Sequence, residues 1–353
     1  MRILTINPGS TSTKIAVFDD TTPILVENIK HTVDDLKPFH QASDQFEYRR
    51  DLVLDALHRH DIPLKFDAIV GRGGFLKPIE GGVYEVNEIM LGEVEHPMRN
   101  HACNLGCRIA YDICKDIPGC KALIADPVVV DEMAEVARIT GSPMMPRFCA
   151  WHALNQRSIA RRYAAEHGQR YEEINLIVAH LGGGISIGAH QEGRCIDVGN
   201  ALDGDGPFSP ERAGSLPPGM LIDLCYSGKY TQEELKKRIS GNAGLAAHLG
   251  TTDVAAIVDS IKKGDKKAEL VLNAMIYSIA KCIGAAAVAL KGKVDAIIIT
   301  GGVAHSDYVI TNLVEYVNFL APVYVYPGEN EMLALATNGL GALRGTIEIK
   351  EYK

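Results

Sequence analysis

The segment Asn7-Pro8-Gly9-Ser10-Thr11-Ser12-Thr13-Lys14 gathers groups suited to phosphate oxygens. Gly9 permits close backbone approach, Ser10 and Ser12 offer hydroxyl donors, and Lys14 offers a cation. The spacing is not that of a Walker loop, Gly-x4-Gly-Lys-Ser/Thr, and a Ser/Thr-rich hairpin turn is the bland alternative. Two more glycine turns follow apolar runs: His180-Leu181-Gly182-Gly183-Gly184 and Gly301-Gly302-Val303-Ala304. Consecutive glycines are costly in a simple turn, because each loses much backbone freedom on folding. Approach of a phosphate chain explains them, and α/β sheets bind ligands at the carboxyl ends of their strands. Together the three turns predict a nucleotide cleft.

Single charged residues add to this pattern. Arg72 stands between glycines in Gly71-Arg72-Gly73-Gly74, Asp126 precedes Pro127, and His152 and Glu331 each open a helical pattern. Each also has a structural reading. Arg72 fits a surface ion pair, Asp126 a turn, His152 a cap or core histidine, and Glu331 an acid favoured by a helix dipole.

Elements must position these groups. Apolar runs at Ile3–Ile6, Lys14–Phe18 and Pro23–Glu27, separated by polar turns, predict a meander of three strands. The arrangement returns 173 positions later at Leu176–Ala179, Ile185–Ala189 and Cys195–Val198, so that Asn7 and Gly9 align with His180 and Gly182. Duplication is the best account of that offset. Apolar spacing of three and four predicts helices over Phe46–His60, Asn104–Asp116, His152–His167 and Ala268–Lys291, with a last helix over Glu331–Arg344. The expected domains are 1–150, joined by a C-terminal helix of about 331–353 packing back on it, and 151–330. Both are α/β.

The chain has 353 residues with formal charge −8, the wrong sign for a nucleic-acid or anionic-membrane surface. Its longest apolar run, Ala274–Leu290, contains Lys281 and predicts a buried helix. The N-terminus enters a strand pattern with no signal-peptide core, and none of the eight cysteines forms Cys-x-x-Cys. The expectation is a soluble cytoplasmic protein.

The run Ile3–Lys14 resembles the N-terminal signature of the acetate and butyrate kinases (the acetokinase family). The likeness continues through Val70–Gly74, Ala179–Gly184, Thr300–Ala304 and Pro327–Glu331, in order along the chain. The stretch Asp203–Gly214 resembles the butyrate branch. The resemblance implies a duplicated two-domain actin-like ATPase fold with a ribonuclease H-like core in each domain. It further implies an ATP-dependent kinase with Mg2+ that makes butyryl phosphate from butyrate, isobutyrate being possible, with acetate or propionate kinase as the runner-up. A homodimer or higher homo-oligomer is implied as well.

Residue by residue, the resemblance implies Asn7 and Glu331 at the metal and Ser10, Ser12 and Lys14 at the phosphates. His180, Gly182, Gly183, Gly184, Gly301, Gly302, Val303 and Ala304 fall at the nucleotide. Arg72 holds the acyl substrate, with Asp126, His152 and Arg212 as catalytic residues. The family's substrate-site histidine matches Asn100 or His101. The chemistry is consistent: a carboxylate is ionised near pH 7 and needs no general base, so positioned cations and donors must relieve its repulsion from the phosphoryl group. A chaperone-type nucleotide-binding protein of the same fold is the rival from another class. It leaves Arg72, His152 and Arg212 without a reason.

Overall fold

The computed structural model describes residues 1–97 and 99–353. Among them the strands are β1 (Arg2–Pro8), β2 (Ser12–Asp19), β3 (Thr22–Lys30), β4 (Ala68–Arg72), β5 (Val83–Glu85), β6 (Lys121–Ala125), β7 (Asn175–Leu181), β8 (Ile185–Gln191), β9 (Arg194–Val198), β10 (Ala296–Gly301), β11 (Val323–Pro327) and β12 (Ile349–Glu351). The chain forms two compact units, Met1–Val130 with Asn330–Lys353, and Asp131–Glu329. Residues 131–150, placed by the sequence reading in the first domain, bond into the second unit. The amide of Ala134 donates to the Ile196 carbonyl, and Arg147 pairs with Asp197 and Asp205.

The first unit carries a seven-stranded sheet ordered β12-β5-β6-β4-β1-β2-β3, and the second a five-stranded sheet ordered β11-β10-β7-β8-β9. In each unit the opening three strands form an antiparallel meander, and two later strands add in parallel beside the first. Even the irregularities correspond. The register shifts at Val17/Phe18 in the first meander and at Ala189/His190 in the second. Duplication is therefore visible in topology, with β5 and β12 as additions to the first sheet.

The parallel strands read as nearly unbroken apolar runs because helices cover both faces of such sheets. Ile297, Ile298 and Ile299 are wholly buried, as are Ile69 and Val70. The helix Lys266–Ala289 packs Leu272, Met275, Ile279 and Ile283 into the second core. It is long and apolar enough to cross a membrane by composition, but half of its most apolar stretch is buried in the unit, as a core helix requires. The helix Glu331–Leu343 belongs to the first unit and buries Leu335, Asn338 and Leu340.

Candidate active site

In the first unit three neighbouring parallel strands end side by side. Ile6 pairs with Gly71 and Arg72 with Ala125, so Asn7, Arg72 and Asp126 emerge along one edge. The helix beginning at Glu331 brings its first-turn carboxylate to the same edge, where the helix dipole favours negative charge. Asn7 Nδ2 donates to Glu331 Oε2 at 2.5 Å, and Arg72 Nη1 donates to Glu331 Oε1. Residues 259 and 324 positions apart in sequence are thus joined on one carboxylate.

Close backbone packing sets the place of Arg72. A Cβ on Gly71 would lie 2.2 Å from the Gly106 carbonyl oxygen, and one on Gly106 would lie 2.3 Å from that of Arg72. The helix Leu105–Cys114 therefore presses directly on the end of β4. Asp126, buried and in the left-handed region at φ 39°, accepts from the amide of Gly82 at 2.8 Å. Asp tolerates that conformation better than most residues. The contact holds the start of β5 against β6.

The loop after β1 has an anchor that the sequence reading missed. Arg49, wholly buried on the helix Phe46–Arg59, donates to the carbonyls of Gly9, Ser12 and Ser10 at 2.9, 3.0 and 3.4 Å and to Thr13 Oγ1 at 3.0 Å. Burial pulls its guanidinium down to about 10. With these carbonyls turned inward to one guanidinium, the exposed Ser10 and Thr11 remain at the loop's outer side. Thr13 Oγ1 also meets His31 Nε2 at 2.9 Å, and burial followed by the nearby Arg49 charge lowers His31 to about 4. Lys14 pairs with Asn7 across the strands. Nothing in the sequence marked Arg49, since a lone arginine in an amphipathic helix reads as surface.

Of the two residues matched to the substrate-site histidine, Asn100 accepts from the amide of Ala42 at 2.9 Å. His101 Nδ1 accepts from the amide of Cys103 at 3.1 Å, capping a short 3-10 turn. Both contacts are structural.

In the second unit, His180 ends β7 beside Thr300 of β10. Gly301 has φ 94°, and a Cβ there would lie 2.3 Å from the Leu181 carbonyl oxygen. The two glycine turns therefore touch. His152 stacks on His180 with ring centres 3.8 Å apart and planes 14° off parallel. His180 Nδ1 meets Asn155 Oδ1 at 2.7 Å, and its Nε2 lies 3.1 Å from Glu329 Oε1.

Arg212 packs over the triple glycine, where a Cβ on Gly184 would lie 2.1 Å from Arg212 Nη1. Its Nη1 donates to the Ala201 carbonyl at 3.0 Å, while Ser209 Oγ donates to the Gly183 carbonyl at 2.6 Å. Beyond Gly302 and Val303 opens a cavity of about 660 Å³, lined also by Val254, Val258, Asp307 and Tyr308. That volume suits a nucleoside-sized ligand. The second unit thus unites His152, His180, Gly182–Gly184, Arg212 and Gly301–Ala304. Asn155, Ser186 and Glu329 were missed by the sequence reading. Asn155 alone had a signal, lying one helical turn after His152.

Known proteins resemble this chain throughout its length. The model of the acetokinase family matches residues 146–333. The chain is 63% identical over 353 residues, the whole of both proteins, to the "probable butyrate kinase" of Bacteroides thetaiotaomicron. It is 49% identical over 354 aligned positions, covering 100% of this chain and 99% of the relative, to butyrate kinase 1 of Clostridium acetobutylicum. Among solved structures, Porphyromonas gingivalis acetate kinase superposes with TM-score 0.78 at 21% identity, covering 97% of this chain and 99% of that one. A propionate kinase from Francisella tularensis gives 0.76 at 19%, covering 96% and 98%. The fold is the duplicated actin-like ATPase fold.

Proposed function

The chain belongs to the acetokinase family, and from that premise we propose that it transfers the γ-phosphoryl group of ATP to butyrate, forming butyryl phosphate and ADP. It is an ATP-dependent carboxylate kinase. The observation carrying the choice of butyrate is full-length likeness to butyrate kinases at 49–63% identity.

Arg72, held on Glu331, pairs with the substrate carboxylate in the planar manner guanidinium favours. His152 and Arg212 donate to the phosphoryl oxygens as the group flattens in transit. Asp126 keeps its carboxylate on the Gly82 backbone and orients the strand end rather than taking a proton. Ser10, Ser12 and Lys14 serve the phosphates. His180, the glycines at 182–184 and 301–302, Val303 and Ala304 frame the nucleotide, with adenosine in the 660 Å³ cavity.

Magnesium would accompany ATP in such chemistry, where it would supply positive charge against the phosphates. Among the described residues no three His, Cys, Asp or Glu side chains form a metal cage. Magnesium in kinases is commonly held by one or two carboxylates, waters and the substrate's phosphates. Glu331 and the Asn7 amide oxygen are hard donors of that kind, and Asn7 turns its Nδ2 to Glu331. They would hold the hydrated ion.

Two further features belong to this reading. Exposed Leu270, Tyr277 and Val288 lie on one helix, and Tyr277 meets exposed Tyr316 with ring centres 5.8 Å apart, apolar surface suited to a homodimer. A cytoplasmic location suits an enzyme that draws on ATP. Release of ADP measured against acetate, propionate, butyrate and isobutyrate tests the substrate. Butyrate should exceed acetate in kcat/KM by one or two methylene increments, each about 1 kcal/mol. Equal or better use of acetate would overturn the assignment.

A further inference from the structure

We propose that a buried relay, Tyr171–His190–Gln156–Ser186, fixes the hydrogen of His152 on Nε2, making Ser186 and Gln156 positioning residues for the histidine that meets the phosphoryl group. The role given to His152 follows from the kinase reading above. The tautomer does not.

The argument begins at a backbone carbonyl, which can only accept. Gln156 faces the Ser186 carbonyl oxygen at 3.0 Å, so its amide nitrogen must be the atom pointing there. The same nitrogen donates its second hydrogen to Ser186 Oγ at 2.8 Å. Gln156 Oε1 is thereby turned to His190 Nε2, 3.0 Å away, which must carry a hydrogen. His190 is fully buried, and burial lowers its pKa to about 3, so it holds one ring hydrogen only. Its Nδ1 then accepts from the Tyr171 hydroxyl at 2.7 Å.

At the other end, Ser186 has one hydrogen to give. Its Oγ accepts from Gln156 Nε2 and, at 3.4 Å, from the amide of His152. The acceptor facing its hydroxyl is His152 Nδ1 at 2.8 Å. A ring that accepts at Nδ1 carries its hydrogen at Nε2. The relay thus presents a neutral N–H donor of fixed direction, stacked on His180.

The surroundings are shaped to this chain of bonds. Gly188 lies beneath the Gln156–His190 contact, and a Cβ there would fall 2.5 Å from Gln156 Oε1 and 2.8 Å from His190 Nε2. Gln156 lies four residues after His152 on the helix Ala153–Glu166, which its amide helps to begin by donating to the His152 carbonyl at 2.9 Å.

The test is nitrogen NMR of the full chain labelled at histidine, with the His152 signals assigned by their loss in His152→Ala. The expected wild-type pattern is a neutral ring protonated at Nε2. In Ser186→Ala the Nδ1-protonated form should appear, with kcat reduced about tenfold, the scale of one hydrogen bond, and both KM values nearly unchanged. Ser186→Thr, which restores a hydroxyl in a strand that accepts β-branched residues, should return both signals. A wild-type His152 protonated at Nδ1 would overturn the proposal, and so would an unaltered tautomer in folded Ser186→Ala. If Ser186→Ala fails to fold, the wild-type spectrum alone decides. Absence of kinase activity in the wild type would sink the functional reading and leave the tautomer standing.

Discussion

The two units place corresponding residues at corresponding strand ends, yet hold them by different physics. Asn7 and His180, 173 positions apart, each lie at the end of a central strand and each meets a carboxylate, Glu331 and Glu329 respectively. In the first unit that carboxylate also binds Arg72, so the group is an ion pair with 12–23% of its side chains exposed. In the second unit the histidine is 1% exposed, stacked on His152 and bonded through its other ring nitrogen to the uncharged side chain of Asn155. A charged pair partly open to solvent can reorganise, because water reaches and compensates its partners. A buried network with every hydrogen assigned does not. The duplicated scaffold has kept position, and the proposed function would give the adaptable charged half to the acid and the rigid half to the phosphoryl group.

Arg212 offers the strongest way to break this comparison. If the second unit supplies donors to the transition state, Arg212→Ala should lower kcat by roughly 10²–10³ with little change in either KM, the scale of one lost oxyanion donor. Gly184→Ala should act in the same direction, since its Cβ would occupy the guanidinium's place. Near-normal kcat in folded Arg212→Ala would remove the residue from the chemistry.

The first unit should respond differently. Arg72→Ala should raise the butyrate KM by about 10- to 100-fold, as for a charged hydrogen-bonding pair worth about 1.5–3 kcal/mol. Glu331→Gln should shift the magnesium titration while the fold persists. If Arg72→Ala lowered only kcat, or Glu331→Gln left magnesium dependence unaltered, the adaptable half would be misassigned.

Much of this was readable in the sequence because it depends on local pattern. The two meanders announced themselves through alternating apolar runs and turns, and the glycine turns through their unusual cost. The helix limits expected at Phe46–His60 and His152–His167 differ by a residue from Phe46–Arg59 and at each end from Ala153–Glu166, where caps blur the boundary. What stayed hidden depends on non-local contact. Arg49 acts through carbonyls nearly forty residues upstream, and Ser186 through a hydrogen whose direction only a carbonyl and an amide determine together. Residues 131–150 lacked any signal for their unit because Arg147 finds its acids fifty residues on.

The buried histidines sharpen the comparison through pH. Both His31, at about 4, and His190, at about 3, lie below the usual 6.5 because burial penalises the charged ring. The unfolded chain therefore binds these protons first, so their stabilisation is complete above pH 6.5. It is lost as pH falls toward 4 for His31 and toward 3 for His190. For His190 the loss at pH 5 is on the order of 2 kcal/mol. Denaturant unfolding at pH 7.5 and 5.0 should show this fall, and His190→Gln should flatten it. An equal fall in that variant would assign the effect to other groups.

The smallest effect is expected at Gly302, where the fold makes no demand for glycine. A Cβ there meets no atom within 4 Å, whereas one on its neighbour Gly301 would collide with the Leu181 backbone. Gly301→Ala should therefore cost stability outright. Gly302→Val should leave Tm unaltered, since its added atoms enter open space beside the 660 Å³ cavity. Its cost should fall on the nucleotide, raising the ATP KM by about tenfold, or 1.4 kcal/mol, with the butyrate KM unaltered. Steady-state kinetics with each substrate varied separately would decide. A lowered Tm with normal ATP KM would mean that Gly302 serves the fold, and the adenosine side would then have to be sought away from this turn.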